Sequence, residues 1–314
     1  MDEIKIPDHV KVIEVCDFMA QSQERNWGLD LCKIDSAWSF TKGKGIKVAV
    51  LDTGISDHID LKGAWDSNMA FNFTSDDSWE DKKSNHGTHV AGIIAARDND
   101  TGVVGVAPEC TLIPMKVLND SGGGSFDNVI RAIEKAISPE VNADIITMSL
   151  GSPSKPGEPD RVYEVIKKAT DMGKFIFAAA GNDGGAVNYP AKYDEVIAVA
   201  AVDENGDFAG FTSSGLEVDS LGPGVNIFST LIGNKYGRMS GTSQACPFIA
   251  GLCALILAND RANPQGPKIK TLIDLMKELD DMSDDAKYIG KYENKRWGVG
   301  LPLLANLNWK TTNS

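Results

Sequence analysis

The sequence predicts a single α/β domain built on a doubly wound, mostly parallel central sheet with helices on both faces. Three observations carry that prediction. Short apolar runs recur along the chain, amphipathic segments of helical length separate them, and no internal repeat or low-complexity linker divides the 314 residues. The runs are "IKVAVLD" (46–52), "TLIPMKVL" (111–118), "ADIITMSL" (143–150), "KFIFAAAG" (174–181), "EVIAVAAV" (195–202) and "VNIFST" (225–230). They are short, rich in β-branched or small apolar residues, and most stop at Gly, Asp or Asn. Parallel strands covered on both faces read this way, because neither face needs polar alternation.

The remaining elements follow in order. Residues 1–22 form an extension of mixed character, and residues 23–314 form the folded domain. "SQERNWGLDLCKIDSAW" (22–38) predicts a capped helix. "HGTHVAGIIAAR" (86–97), "FDNVIRAIEKAI" (126–137) and "PDRVYEVIKKATDMG" (159–173) predict helices between the strands, the last capped by Gly173. A helical tail contains "IKTLIDLMKEL" (269–279). Strand–helix alternation places the sheet between helix layers and gathers functional groups at the carboxyl ends of the strands.

Composition bounds the partners. The chain is 42% hydrophobic and 24% charged, enough for a large core. Its net charge of −13 repels phosphate backbones and anionic lipid, which argues against nucleic acid and membrane surfaces as partners. The longest apolar run, "FIAGLCALILA" (248–258), is too short to span a bilayer, and the polar start "DEIKIPDHVK" predicts no secretory leader. Cys16, Cys32, Cys110, Cys246 and Cys253 are odd in number and scattered, which fits reduced thiols in a cytosol. Cys246 and Cys253 read as small buried hydrophobes.

Candidate chemistry begins in "VAVLDTGISDHIDL" (48–61), which carries Asp52-Thr53-Gly54. Aspartic proteases use the same tripeptide, and Asp-Thr/Ser-Gly recurs at 100–102 and 120–122. An acid dyad needs two such carboxylates in equivalent lobes, sharing one proton. Only Asp52 ends a hydrophobic run, the two halves of the chain are dissimilar, and the alternation is not all-β, so a dyad does not fit. "NHGTHVAGIIAA" (85–96) sets His86 and His89 three apart at a helix start. Zinc sites on helices more often space histidines four apart and add a Glu or Cys. The other reading makes His86 a general base held by a helix of small residues. "MSGTSQACPFIAGLCALI" (239–256) opens an apolar helix at Ser243. That serine is either an N-cap or a nucleophile at the positive end of a buried helix. Asp, His and Ser in this order fit a nucleophilic triad: Ser243 attacks a carbonyl, His86 takes and returns the proton, and Asp52 holds the imidazole tautomer.

The motifs "VAVLDTG", "HGTHVAG" and "GTSQACPFIAG", in this order and over residues 23–305, resemble those of the subtilisin-like serine proteases. The resemblance implies a serine endopeptidase acting through an acyl-enzyme, with Asp52, His86 and Ser243 as triad and Asn182 of "AAAGNDG" as oxyanion donor. Taken alone, Gly-Asn-Asp also reads as an ordinary turn. It further implies that Ser149, Leu150 and Gly151 of "MSLGSP", and Gly122 to Gly124 of "NDSGGGSF", flank an extended substrate. Backbone pairing reads no side chains, so broad action on flexible polypeptides is expected. A narrow processing protease and a peptide-binding pseudoprotease are the competing readings. Asp183 is either a carboxylate at the pocket rim or a solvated charge. Gln244 stands where many relatives carry methionine, which removes an oxidation-prone thioether beside the serine.

The loop "ARDNDTGVVGVAP" (96–108) resembles the family's main calcium loop. By that resemblance a structural Ca2+ is held by Gln23, Asp60, Asn99 and the carbonyls of Arg97, Thr101 and Val103. An acidic loop without metal is the alternative. Secreted relatives carry a signal peptide and a long prodomain, and neither is expected here. The pattern is similar to the intracellular subtilisins, which implies a cytoplasmic zymogen with residues 1–20 lying across the cleft. Their extension carries Leu-Ile-Pro-Tyr, of which "EIKIPD" keeps Ile6-Pro7 but not the tyrosine. A homodimer is expected by analogy with that group.

Overall fold

In the computed structural model, which describes residues 3–6, 12–16, 23–283 and 298–304, five of the six apolar runs stand side by side in one parallel sheet. Two short strands, β1 (Glu3–Lys5) and β2 (Glu14–Cys16), precede helices α1 (Trp27–Leu31) and α2 (Asp35–Trp38). Then come β3 (Lys47–Asp52), β4 (Phe71–Asn72), α3 (His86–Ala95), β5 (Thr111–Lys116), β6 (Gly123–Ser125) and α4 (Phe126–Ala136). They are followed by β7 (Ile145–Met148), α5 (Arg161–Asp171), β8 (Phe175–Ala179), β9 (Ile197–Val202) and β10 (Ser220–Pro223). A hairpin of β11 (Ile227–Leu231) and β12 (Lys235–Met239) leads into α6 (Thr242–Arg261), and α7 (Leu272–Met282) lies near the end.

The central sheet has the order β10-β9-β8-β7-β3-β5-β4, and its neighbours are all parallel. The chain leaves β3 toward β4 and β5 on one side and returns to β7 on the other. That reversal opens a crevice at the carboxyl ends of β3 and β7. Asp52 is the last residue of β3 and Met148 the last of β7. Strands β7, β8 and β9 are buried along their whole length, as unbroken apolar runs require. Helix α6 is buried from Thr242 to Ala258 and packs on β7, β8, β9 and β10 and on α3. Helices α4 and α5 pack on each other and on β3 and β8. Each has one apolar stripe, and Gly173, at φ 75°, ends α5 as its sequence predicts.

Three expectations need correction. "VNIFST" is not a buried parallel strand of the central sheet. It enters β11, which pairs antiparallel with β12, and β12 pairs in turn with β2. Only three residues, Ile232 to Asn234, join β11 to β12, with Gly233 and Asn234 at positive φ, and so short a link permits only a hairpin. The helix expected over 22–38 is two short ones among the described residues, with Lys33 at φ 55° between them and Asn26 capping the first; Ser22 lies outside the described residues. Strands β10 and β12 carry too much Gly, Pro and charge to be read from periodicity. Helix α6, at 20 residues, does reach membrane-spanning length and composition, but 94% of that window is buried inside the protein. All five cysteines are free; four are buried and Cys16 is half-buried.

Candidate active site

Asp52 enters the crevice because β3 ends there. Its carbonyl accepts hydrogen bonds from the Val117 and Leu118 N–H groups at 2.9 and 3.1 Å, which ties the strand end to β5. Its Oδ1 accepts from the Thr53 N–H at 2.7 Å. The same oxygen lies 2.8 Å from His86 Nδ1, and both side chains are almost wholly buried. A proton on Nδ1 makes that contact a hydrogen bond and leaves Nε2 as the base. Among the described residues, Nε2 has no partner.

Four groups hold the segment that delivers His86. Asn85 takes a left-handed backbone, φ 68°, and its Oδ1 accepts from Ile232 N at 2.9 Å instead of capping α3. Thr53 Oγ1 accepts the Gly87 N–H at 3.0 Å. Gly87 is needed for that approach, since a Cβ there would stand 2.1 Å from the Gly54 carbonyl oxygen. The carboxylate of Asp81 receives the Ser84, Asn85 and Thr88 N–H groups and the Thr88 hydroxyl at 3.0–3.3 Å. Burial pushes Asp81 up to about 6 and the nearby Asp52 charge adds to this, against the pull of its hydrogen bonds. His89, buried one turn along, places Nε2 between the carbonyls of Ile227 and Gly237 at 3.0 and 3.2 Å. Two acceptors demand a proton on Nε2. Burial, with His86 second, lowers the ring to about 3, so it is neutral. His89 thus pins α3 to the hairpin. Among the described residues, no three His, Cys, Asp or Glu side chains group as a metal site.

Ser243 is the second residue of α6, where helical N–H groups lack intrahelical partners. Pro247 has no N–H to give to the Ser243 carbonyl four residues earlier. Ser149 Oγ fills that gap at 2.8 Å, and Ser243 Oγ donates back to the Ser149 carbonyl at 3.2 Å. In this arrangement Ser243 Oγ is bonded to Ser149 and not to His86, whose Nε2 has no partner among the described residues. Asn182 is buried, and its Oδ1 accepts from Thr242 N at 2.7 Å and Thr242 Oγ1 at 2.9 Å. With the oxygen so held, the amide N–H groups are the donors left for the cleft. Cys246 and Phe248 are buried; Cys246 lies under the site against Thr147 and Met148, and burial pushes its thiol up to about 12.

Asp100 and Asp120 complete no acid dyad. Asp100 is an exposed loop residue at φ 65°, and Asp120 is bonded to Lys116 Nζ at 2.8 Å.

The expected substrate edges face each other, and residues 3–6 lie between them. β1 pairs antiparallel with β6, matching Ile4 to Gly124 and Lys5 to Gly123. Ile6 N donates to the Gly122 carbonyl at 3.1 Å, and Lys5 N to the Gly151 carbonyl at 3.4 Å. Ile4 is wholly buried. Ser149 and Leu150, expected as cleft wall, are buried, and Asp183 is exposed. Pro7 lies outside the described residues.

The six residues of the expected calcium loop also converge. Gln23 Nε2 donates to the carbonyls of Arg97, Thr101 and Val103 and to Asn99 Oδ1, at 2.7–3.3 Å. Asp60, fully buried, accepts from Val103 N at 2.7 Å and Asn99 Nδ2 at 3.3 Å. Gly102, at φ 58°, lets the loop close on it, since a Cβ there would stand 2.0 Å from Asp60 Oδ2. Four oxygens around one point fit a hard cation, and a half-turn of the Gln23 amide adds Oε1 to the set.

Thr242, Thr53, Asp81 and Lys116 were not singled out from sequence. Thr53, Thr242 and Lys116 act through partners remote in the chain, whereas Asp81 gathers Ser84, Asn85 and Thr88 a few residues on; Thr53 and Thr242 also adjoin motif residues.

An imidazole backed by a buried carboxylate, with a serine at a helix start nearby, is the equipment of serine hydrolases, and Asp…His…Ser order on a doubly wound sheet narrows the class to the subtilisin type. A family model described as the Subtilase family matches residues 43–283. The chain is 42% identical over 264 residues to the intracellular serine protease of Paenibacillus polymyxa, covering 80% of this chain and 79% of that protein. It is 40% identical over 268 residues to the major intracellular serine protease of Bacillus subtilis strain 168, covering 82% and 76%. Subtilisin DY of Bacillus licheniformis is 43% identical over 239 residues, covering 74% and 84%. The chain belongs to the subtilase family and is a serine endopeptidase.

Proposed function

We propose that Asp52, His86 and Ser243 are the catalytic triad of this endopeptidase and Asn182 its side-chain oxyanion donor. The buried 2.8 Å contact between Asp52 and His86 carries the reading. His86 Nε2 takes the Ser243 proton as Oγ bonds to the scissile carbonyl carbon. The developing oxyanion is met by the Asn182 amide and the Ser243 N–H. The imidazolium, steadied by Asp52, then protonates the leaving amine, and an acyl-enzyme remains for water to hydrolyse by the same relay. A small fluorophosphonate should label wild type at Ser243 and leave Ser243→Ala unlabelled. Wild type that folds but takes no label is a peptide-binding pseudoprotease, and this assignment fails.

Substrates are polypeptides. Gly122, Gly124 and Gly151, with Ser149 and Leu150 as wall, are assigned to pair with an extended peptide backbone, which favours broad specificity. Asp183 is assigned to the pocket rim, where its exposed carboxylate attracts basic residues. Profiling a peptide library separates this reading from a narrow processing protease.

Residues 1–22 are assigned as an inhibitory extension before a catalytic domain of residues 23–314. The pairing of residues 3–6 with both cleft edges supports this. The convergence of Gln23, Asp60, Arg97, Asn99, Thr101 and Val103 supports a structural Ca2+, which would cross-link the loop without entering the chemistry. Two relatives are named intracellular, which favours a cytoplasmic location. A homodimer rests on analogy alone, and sedimentation checks it.

A further inference from the structure

Among the largest fully buried side chains is a lysine, Lys116, at the carboxyl end of β5. The mechanism above makes no use of it. Register places it beside Asp52, and its backbone leads directly into the segment that forms the substrate edge. Nζ donates to the Thr53 carbonyl at 2.7 Å, on the residue that follows Asp52. It also donates to the Glu80 carbonyl at 3.4 Å, next to the Asp81 that gathers the His86 segment. It bonds Asp120 Oδ1 at 2.8 Å, at the start of the turn before β6. Asp76 Oδ2 stands 3.2 Å away and accepts the Asp120 N–H at 2.8 Å. A buried ammonium has three donors that must all be used. Here they run to three separate loops. An apolar side chain could fill the same volume but could not join them.

We propose that Lys116 is a positioning residue that locks the Asp52 loop, the loop leading to His86 and the substrate edge into one unit. The proposal rests on the triad assignment. Peptide pairing along β6 and the alignment of the carboxylate with the imidazole thereby share one anchor.

The test uses the full chain. Fluorophosphonate titration counts competent sites, and turnover of a single-residue ester is expressed per titrated site. Lys116→Met keeps the stem and removes the donors. Its kcat per titrated site is expected to fall about tenfold or more, because a small misplacement of catalytic groups is costly. A merely structural lysine would lower the number of competent sites and the melting temperature but leave kcat per site at the wild-type value, which overturns the proposal. Asp120→Asn, at a more exposed partner, keeps the test decisive if Lys116→Met does not fold. It loosens only the substrate edge, so kcat/KM for a tetrapeptide anilide should fall at least severalfold relative to that for the ester. An unchanged ratio overturns the proposal. Failure of wild type to be labelled instead counts against the triad assignment.

Discussion

Asp52 Oδ1 and His86 Nδ1 lie 2.8 Å apart and joined out of water, one at the end of β3 and the other at the first turn of α3. The contact decides which imidazole nitrogen carries the proton. Asp52→Asn keeps the shape but offers a donor where an acceptor is needed, which stabilises the wrong tautomer. Its kcat should fall about 10⁴-fold, with the fold retained by circular dichroism. A loss below tenfold would show that His86 is oriented by something else.

Asn182 and Thr242 make a pair of graded tests. Asn182→Leu should lower kcat by about 10²–10³ with KM nearly unchanged, since the amide acts on the developing charge. Thr242→Val keeps the backbone bond to Asn182 Oδ1 and removes the hydroxyl bond, so its effect should have the same kcat-only form and be smaller. Steady-state kinetics on one peptide substrate reads both.

Removing residues 1–20 should raise peptidase activity severalfold, because residues 3–6 pair with the edges assigned to substrate. A synthetic peptide of residues 1–16 added to the truncated enzyme should inhibit competitively. Equal activity with and without the extension would remove the inhibitory role.

Chelation should lower the melting temperature, and added Ca2+ should restore it. A ligand at about 100 times its Kd adds about 2.7 kcal/mol of stability. Asp60→Asn should abolish the difference between chelated and calcium-loaded protein. Melts that do not respond to calcium in wild type would count against the site.

Acid stability should depend on His89. Its folded value, near 3, lies below the 6.5 of an exposed histidine, so the unfolded chain binds a proton that the folded one refuses. The stabilising contribution is present above pH 6.5 and is lost as pH falls toward 3, by up to about 1.4 kcal/mol per pH unit. Asp81 and Asp219, raised by burial to about 6 and about 7, act in the opposite sense, and their contribution fades as pH rises from 4 through those values. His89→Gln should therefore lose less melting temperature than wild type between pH 6.5 and 4.5. Parallel slopes would rule out His89 as the source.

The sequence by itself determined the five-strand core of the parallel sheet and the three motif positions. Both are local properties: an unbroken apolar run can sit only between two covered faces, and the motifs of Asp52, His86 and Ser243, the proposed triad, are legible within short flanks of Gly, Thr and small residues. Only the tertiary structure decided that "VNIFST" turns back as a hairpin, that Ser149 satisfies the carbonyl Pro247 leaves open, that Thr242 orients Asn182, and that a buried lysine joins three loops. Lys116 is 63 residues from Thr53 and Thr242 is 60 from Asn182. Hydrogen bonds over such separations leave no periodicity in the chain, because they exist only after the strands and helices have packed.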